Sequence, residues 1–347
     1  MRMKLNQLIA MALIAAMSAT GLTALAEETE TDPVAEVTES TETAGAAESD
    51  ELYQEAIGFL NYLGIFTGDE NGDMRPEDAV SRAEIAAIIL REMNITNMSK
   101  YNDSFSDVSS AHWAADIIQT AYENGIINGF DDGSFRPDDD VTYEQAIKMI
   151  MCAVNYGAYA EAHGGYPTGY IQLADERGVV DKATGVIGEP ATRRTVAKLV
   201  YNSLTIGYPI VSEMTNIYNA TFTIEEGVTV LSEKRDIYYR DGIITAIPGK
   251  SMDLSASLLE DQIMFEDEIM NSEMENPGQY VAEYVRLFYR DTDGNGGDKT
   301  AVYAVPLKNK TETLTLSADE IDSITTGYEG GTPQIEYYTD DRSRKLK

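Results

Sequence analysis

The sequence has almost no cysteine: Cys152 is the one thiol among 347 residues. That excludes an intramolecular disulfide. Cys152 also lies in a helical apolar pattern with Ile147, Ile150, Met151 and Val154, which predicts a core thiol and not a nucleophile. Histidine is nearly as scarce. His112 and His163 are too few for a usual zinc site, and no Cys or His pair has ligand spacing, so no metal and no cofactor is expected. Positive charge is short as well. There are 26 basic against 59 acidic residues, a formal net charge of -33. Such a polyanion is repelled by nucleic acid and by anionic lipid, so neither is an expected partner. An anionic partner has to be held by local cationic groups.

Apolar content, at 43%, is sufficient for a packed core. The N-terminus has the form of an export signal. Arg2 and Lys4 are the charged start, Leu8 to Met17 the apolar run, and Ala24-Leu25-Ala26 the small-residue cleavage site. The rival reading is a membrane anchor, but the apolar run is short and Ser18, Thr20 and Gly21 interrupt its end, so residues 1–26 are expected to be removed, leaving a secreted chain with no membrane segment. Residues 27–50 are Glu, Thr, Ala and Ser with almost no large apolar side chain, the composition of a disordered acidic linker. Order is expected from about Leu52.

An internal repeat organises the next part. Gly64-Ile65-Phe66-Thr67-Gly68 recurs as Gly125-Ile126-Ile127-Asn128-Gly129, Arg75-Pro76 as Arg136-Pro137, Ser81 as Thr142, and Glu84 as Gln145. All these pairs are 61 positions apart. A weaker third copy carries Leu173-Ala174, Gly178-Val179-Val180 and Glu189-Pro190-Ala191-Thr192. Each unit reads as helix–loop–helix. In the second, Ile117, Ile118, Ala121 and Tyr122 share one face and Gly125 stops the helix. The second helices bury Ile85, Ile88 and Ile89, then Ala146, Met149 and Ile150, then Val196, Leu199 and Val200. One helix pair cannot cover its own apolar face, whereas three packed around an axis can.

From about Ile210 the texture changes. Val228–Leu231, Asp236–Ile247, Tyr280–Tyr289 and Ala301–Leu307 are rich in β-branched and aromatic residues, and residues 291–298 read as a hairpin loop. The fold class expected is α+β. The units run over residues 51–99, 100–160 and 161–206 as an all-α three-fold bundle. A small β-rich domain follows over 210–340, with a loose tail beyond it.

The second unit reads Phe105-Ser106-Asp107-Val108, His112-Trp113-Ala114, Gly125 to Gly129, Gly133-Ser134-Phe135-Arg136-Pro137 and Val141-Thr142. The first supplies Val80-Ser81-Arg82-Ala83-Glu84. Over roughly residues 51–205 the chain resembles the S-layer homology domain, whose mark is an Ile-Thr-Arg-Ala-Glu-like pentad opening the second helix. The resemblance implies a three-fold spindle with ligand grooves between neighbours. It implies non-covalent anchoring to a secondary cell-wall polysaccharide, commonly pyruvylated, at a bacterial cell wall or S-layer, with self-assembly in a surface layer possible. The pentad varies. It is Val141-Thr142-Tyr143-Glu144-Gln145 in unit two, where tyrosine replaces arginine, and Ala191-Thr192-Arg193-Arg194-Thr195 in unit three. Three unequal grooves follow, with Tyr166 and Tyr170 as candidate aromatics of the third unit.

Ser81 with Glu84, and Thr142 with Gln145, have capping-box spacing. Arg82 and Arg193 place positive charge at the positive end of a helix dipole, where an acid is preferred. Free N–H groups at a helix start together with a guanidinium would make a carboxylate-binding corner. The plainer alternative is that Arg82 pairs with Glu77 or Asp78, and Arg193 with Glu189. Arg194 is a further candidate contact. Trp113 either stacks on a sugar or packs between units. Asp107 reads first as a helix-entry cap and second as a ligand contact. Asp69-x-Asn71-x-Asp73 and Asp291-x-Asp293-x-Asn295 open like EF-hand loops, but the twelfth positions are Val80 and Val302, so ordinary turns are expected. No catalytic residue is singled out. The alternatives to an anchor are a carbohydrate- or protein-binding module with its specificity in the β-rich half, or a wall-acting glycosidase using paired carboxylates.

Overall fold

The computed structural model describes residues 38–69, 71–214, 220–251, 257–291, 298–307, 321–325, 334–339 and 342–346. The expected signal segment 1–26, the linker residues 27–37 and most of the 291–298 loop lie outside them. The first helix, α1 (Thr38–Tyr62), reaches back into the expected linker. Pro33 is the last proline before it, and Ala and Glu carry good helix propensity, so the backbone stays helical ahead of buried Tyr53.

Helix–loop–helix recurs three times. Helix α1 is followed by α2 (Arg82–Glu92), and α3 (Ala115–Glu123) by α4 (Tyr143–Ala153). After a short α5 (Gly157–Ala162), α6 (Thr168–Glu176) is followed by α7 (Arg193–Ser203). Gly64, Gly125 and Gly178 stop the first helix of each pair at φ of 68°, 69° and 75°, backbone that a side chain would strain. The apolar residues expected on α2, α4 and α7 are buried. On α3, Ile118 and Ala121 are buried, but Tyr122 turns outward against the edge of Phe105.

The residues just before α2, α4 and α7 are joined in a ring. Val80 N–H donates to the Ala191 carbonyl at 3.0 Å, Ala191 N–H to Val141 at 2.9 Å, and Val141 N–H back to Val80 at 2.9 Å. The helix starts join the same three units in the opposite sense. Arg82 N–H donates to Asp139 O, Tyr143 N–H to Glu189 O and Arg193 N–H to Asp78 O. Each pair of helices is thus tied to the next by main-chain bonds as well as by packing.

The β-rich part opens with a hairpin, β1 (Tyr208–Met214) and β2 (Ala220–Glu225). The segment expected as a strand near 228–231 leads instead into a helix, α8 (Val230–Arg235), because Thr229 and Ser232 form a reciprocal capping box. Then come β3 (Ile237–Ile247), β4 (Lys250–Ser251), β5 (Gln262–Phe265), β6 (Glu268–Ser272), a 3₁₀ turn (Pro277–Tyr280), β7 (Tyr284–Asp291) and β8 (Lys299–Pro306). The pairing runs β3–β5–β6–β8–β7 and returns to β3, so five strands close on themselves. Pair β6–β8 is parallel and the others antiparallel. This is the arrangement of an OB-type barrel. Ile244, Ile263, Phe265, Met270, Val285, Leu287, Ala301 and Ala304 pack together as its core. Beyond it, β9 (Ile321–Thr325), β10 (Gln334–Thr339) and β11 (Arg342–Leu346) form an antiparallel sheet, so the expected loose tail holds a paired strand.

The barrel does not stand apart from the helices. Residues alternating with its interior, Phe288, Val302 and Val305, join the core of the helical units. Phe288 lies 4.0 Å from Phe59 of α1, ring centre to ring centre, nearly parallel. Arg235 donates to Leu63, Arg91 and Glu92 carbonyls, covering the ends of α1 and α2.

Candidate functional site

Two grooves repeat the same construction. In the first, of about 190 Å³, the floor is Phe66, Thr67 and Gly68 with Glu84 and Ile88 of α2. In the second, of about 210 Å³, it is Ile127, Asn128 and Gly129 with Gln145 and Met149 of α4. These positions are the 61-residue repeat expressed as surface. Glycine is required at Gly129, where a Cβ would come within 2.5 Å of the Phe105 ring.

Each groove receives one arginine from another unit. Arg193, at the start of α7, reaches the first. Its Nε donates to Met74 O at 2.8 Å and its Nη2 to Thr67 O at 3.1 Å, Glu84 stands 3.7 Å away, and the guanidinium lies 4.8 Å from the Phe66 ring. Arg82, at the start of α2, reaches the second. It donates to Phe135 O at 2.8 Å and Gln145 Oε1 at 3.0 Å, and it lies 4.7 Å from both Phe130 and Phe135 rings. Burial pulls the Arg82 pKa down, but an arginine starts so high that it stays charged. The arginines therefore pair across units, and neither takes the neighbour first considered for it.

An aromatic side chain borders each groove. Trp113, 59% exposed, lines the first beside Arg193, Arg75 and Arg91. Tyr166, 44% exposed, lines the second beside Arg82 and Lys148, whose ammonium lies 5.2 Å from its ring. Tyr170 is not part of this surface. It is buried and donates to Glu161 at 2.9 Å, and the half-buried Cys152 thiol, pushed up by burial, lies beside it.

The third equivalent position is filled. Tyr143, which replaces the arginine in unit two, donates to Ala183 O at 3.1 Å. Its ring lies so close over Gly185 that a Cβ there would be 2.3 Å away. Arg194 stands outside both grooves. Glu77 at 2.8 Å and Asp50 at 2.6 Å pair with it.

Three local expectations change. The helix starts are not open to an anion, because the first N–H groups of α2, α4 and α7 already donate to carbonyls of the next unit. Asp107 caps no helix. Its carboxylate accepts from Phe135 N–H at 2.8 Å and Arg136 N–H at 2.7 Å, bracing the loop that leads to α4. Thr142 makes no capping bond, whereas Ser81 and Glu84 form the full box; the side chain of Gln145 is drawn to Arg82 instead. Sequence reasoning missed Lys148, Arg75 and Arg91 as lining residues. Lys148 was findable, since it stands 61 positions after Ala87 on the repeated helix face.

The site is thus a pair of repeated, aromatic-bordered, cationic grooves between helix–loop–helix units in an otherwise acidic chain. The family model of the S-layer homology domain matches residues 47–86 and 104–147. These two stretches of the chain carry S-layer homology domains. It is 28% identical over 164 residues to the middle cell wall protein of Brevibacillus brevis, covering 46% of this chain and 15% of that protein. It is 28% identical over 212 residues to the surface layer protein of Brevibacillus choshinensis, covering 59% and 17%. It is also 32% identical over 175 residues to the amylopullulanase of Thermoanaerobacterium thermosulfurigenes, covering 45% and 9%. The chain therefore spans less than a fifth of the length of these three relatives. At the level of the family the role is cell-wall anchoring.

Proposed function

We propose that this chain is a non-catalytic wall anchor whose helical units form a three-fold spindle. In this reading it holds an anionic secondary cell-wall polysaccharide, with pyruvyl groups as the acidic element, in the grooves of Arg193 and Arg82. One observation carries the reading: the same groove is built twice, with a guanidinium from one unit laid over the glycine loop of another, while Tyr143 fills the third position. The ring through Val80, Val141 and Ala191 supports the three-fold arrangement.

The chemistry suits an acidic sugar. Two bonds to the chain orient Arg82 and leave further N–H donors for a carboxylate. Trp113 and Tyr166 offer flat faces to a pyranose, and Lys148 adds charge where unit one has Ala87. Glycosidase chemistry is disfavoured. Backbone N–H groups of Asn71 and Asp73 hold Asp69 below the ordinary carboxylate range, so it is no proton donor, and Glu84 is engaged in the capping box. Glu92 is pushed up to about 8 by burial, but it is wholly enclosed, away from any substrate.

The test is sedimentation of the full-length chain with cell walls. It is expected to pellet with native walls and to stay in solution with walls stripped of their secondary polymer. The double variant Trp113→Ala, Lys148→Ala should bind native walls about tenfold more weakly with an unchanged Tm. Equal pelleting with stripped walls, or an unaffected variant, would overturn the reading.

A further inference from the structure

We propose a second carbohydrate site, for a neutral oligosaccharide, in the cleft between α1 and the barrel. This goes beyond wall anchoring and uses none of the groove residues. The cleft has a volume of about 520 Å³, larger than either groove, and within the range of about 300–1,000 Å³ usual for small-ligand sites. Its walls are the end of α1, strand β8, and the connection from β6 through the 3₁₀ turn.

Three tyrosines line it: Tyr62, Tyr280 and Tyr303. Tyr62 is 41% exposed, and its ring centre lies 5.2 Å from that of Tyr303 at a 34° tilt. Phe59 backs both rings, at 6.3 Å and 5.0 Å, so the platform is fixed from beneath. Helix α1 carries glycine where Tyr303 crosses it. A Cβ on Gly58 would come within 2.7 Å of the phenol oxygen. Around the platform stand the amides of Asn61, Asn276 and Gln279. An amide offers donors and an acceptor side by side, which matches vicinal hydroxyls. Aromatic faces with planar amides are the chemistry of a sugar site.

Charge selects the class of sugar. No lysine or arginine is among the described residues lining the cleft, and Glu273 and Glu275 are. Arg290, the cation beside it, pairs with Glu273 at 2.9 Å. An acidic glycan is repelled here, as is nucleic acid. Barrels of this type bind oligosaccharides or oligonucleotides elsewhere, which supports the sugar class by analogy only. Among the described residues that line the cleft, none belongs to β5 or β6, the strands such analogy would favour.

The test is calorimetric titration of the full-length chain with cellohexaose, xylohexaose and chitohexaose, with hexagalacturonate as the anionic comparison. At least one neutral hexamer is expected to bind, and hexagalacturonate at least tenfold more weakly. Tyr62→Ala should weaken binding tenfold or more and Gln279→Ala about threefold, both surface changes that leave folding intact. Tyr122→Ala, an exposed tyrosine on α3, should leave it unchanged. Failure of all three neutral hexamers to bind, equal binding of hexagalacturonate, or indifference to Tyr62→Ala and Gln279→Ala would overturn the proposal. Wall sedimentation is read separately and is not moved by any of these outcomes.

Discussion

A guanidinium can hold carbonyls of its own chain or a carboxylate of a ligand, and Arg82 and Arg193 stand between these uses. Both are nearly buried and each crosses from one unit to another. Removing either leaves buried carbonyls unpaired, at a cost of about 1–3 kcal/mol, so alanine variants here report folding as much as binding. Trp113 and Lys148 are cleaner probes for that reason. The arginines were legible in the sequence because a cation at a helix start opposes the dipole. Their partners were not, because Phe135 and Met74 lie 53 and 119 residues away in the chain. Glu92 was not legible at all. It ends α2 with no solvent exposure; Oε1 accepts from Ser203 at 2.8 Å, and Oε2 has no hydrogen-bond partner among the described residues. Burial pushes its pKa up to about 8, from 4.5, against the pull of Ser203 and Arg235. The folded state therefore holds this proton where the unfolded chain releases it. The penalty is absent below about 4.5 and grows as pH rises towards 8. Glu92→Gln should accordingly stabilise the chain by on the order of 2 kcal/mol at pH 8, with the difference closing at pH 4, read from urea melts at both values.

At the level of the element, caps decide more than composition does. The two pentads look alike in sequence, yet Ser81 closes a full box and Thr142 makes no capping bond. Ser81→Ala is expected to cost about 1 kcal/mol, and Thr142→Ala only a few tenths, in chemical denaturation. Equal losses would show that the spacing alone, and not the bonds made, sets the cap's contribution. The same device accounts for α8. Val230 and Leu231 look like strand residues, but Thr229 and Ser232 start a helix and Asp236 ends it at φ 53°. Helices α2, α4 and α7 were readable because their apolar spacing repeats. Strands β5 and β6 were not, since each is short and Met264 or Ile269 faces outward where a polar residue would mark alternation.

For the whole molecule, the sequence suggests two bodies and the packing joins them. Phe59, Phe288, Val302 and Val305 belong to one core, and Arg235 covers helix ends contributed by the first unit. The helical units and the barrel are expected to melt in a single calorimetric transition with matching calorimetric and van't Hoff enthalpies. Two resolved transitions would show that the shared core couples them only weakly. This joint was invisible in the sequence because an outward-facing strand position reads the same whether it meets water or a helix.

The ring through Val80, Val141 and Ala191 also bears on ancestry. Each of these residues donates once and accepts once within the circuit, leaving no loose end at which a fourth copy could attach. An open repeat array lengthens by one unit at a time. A closed circuit does not, so a fourth copy could join only by breaking one of these bonds or by standing outside the ring. Drift of one copy towards a filled interface, as at Tyr143, is then tolerated more readily than its loss.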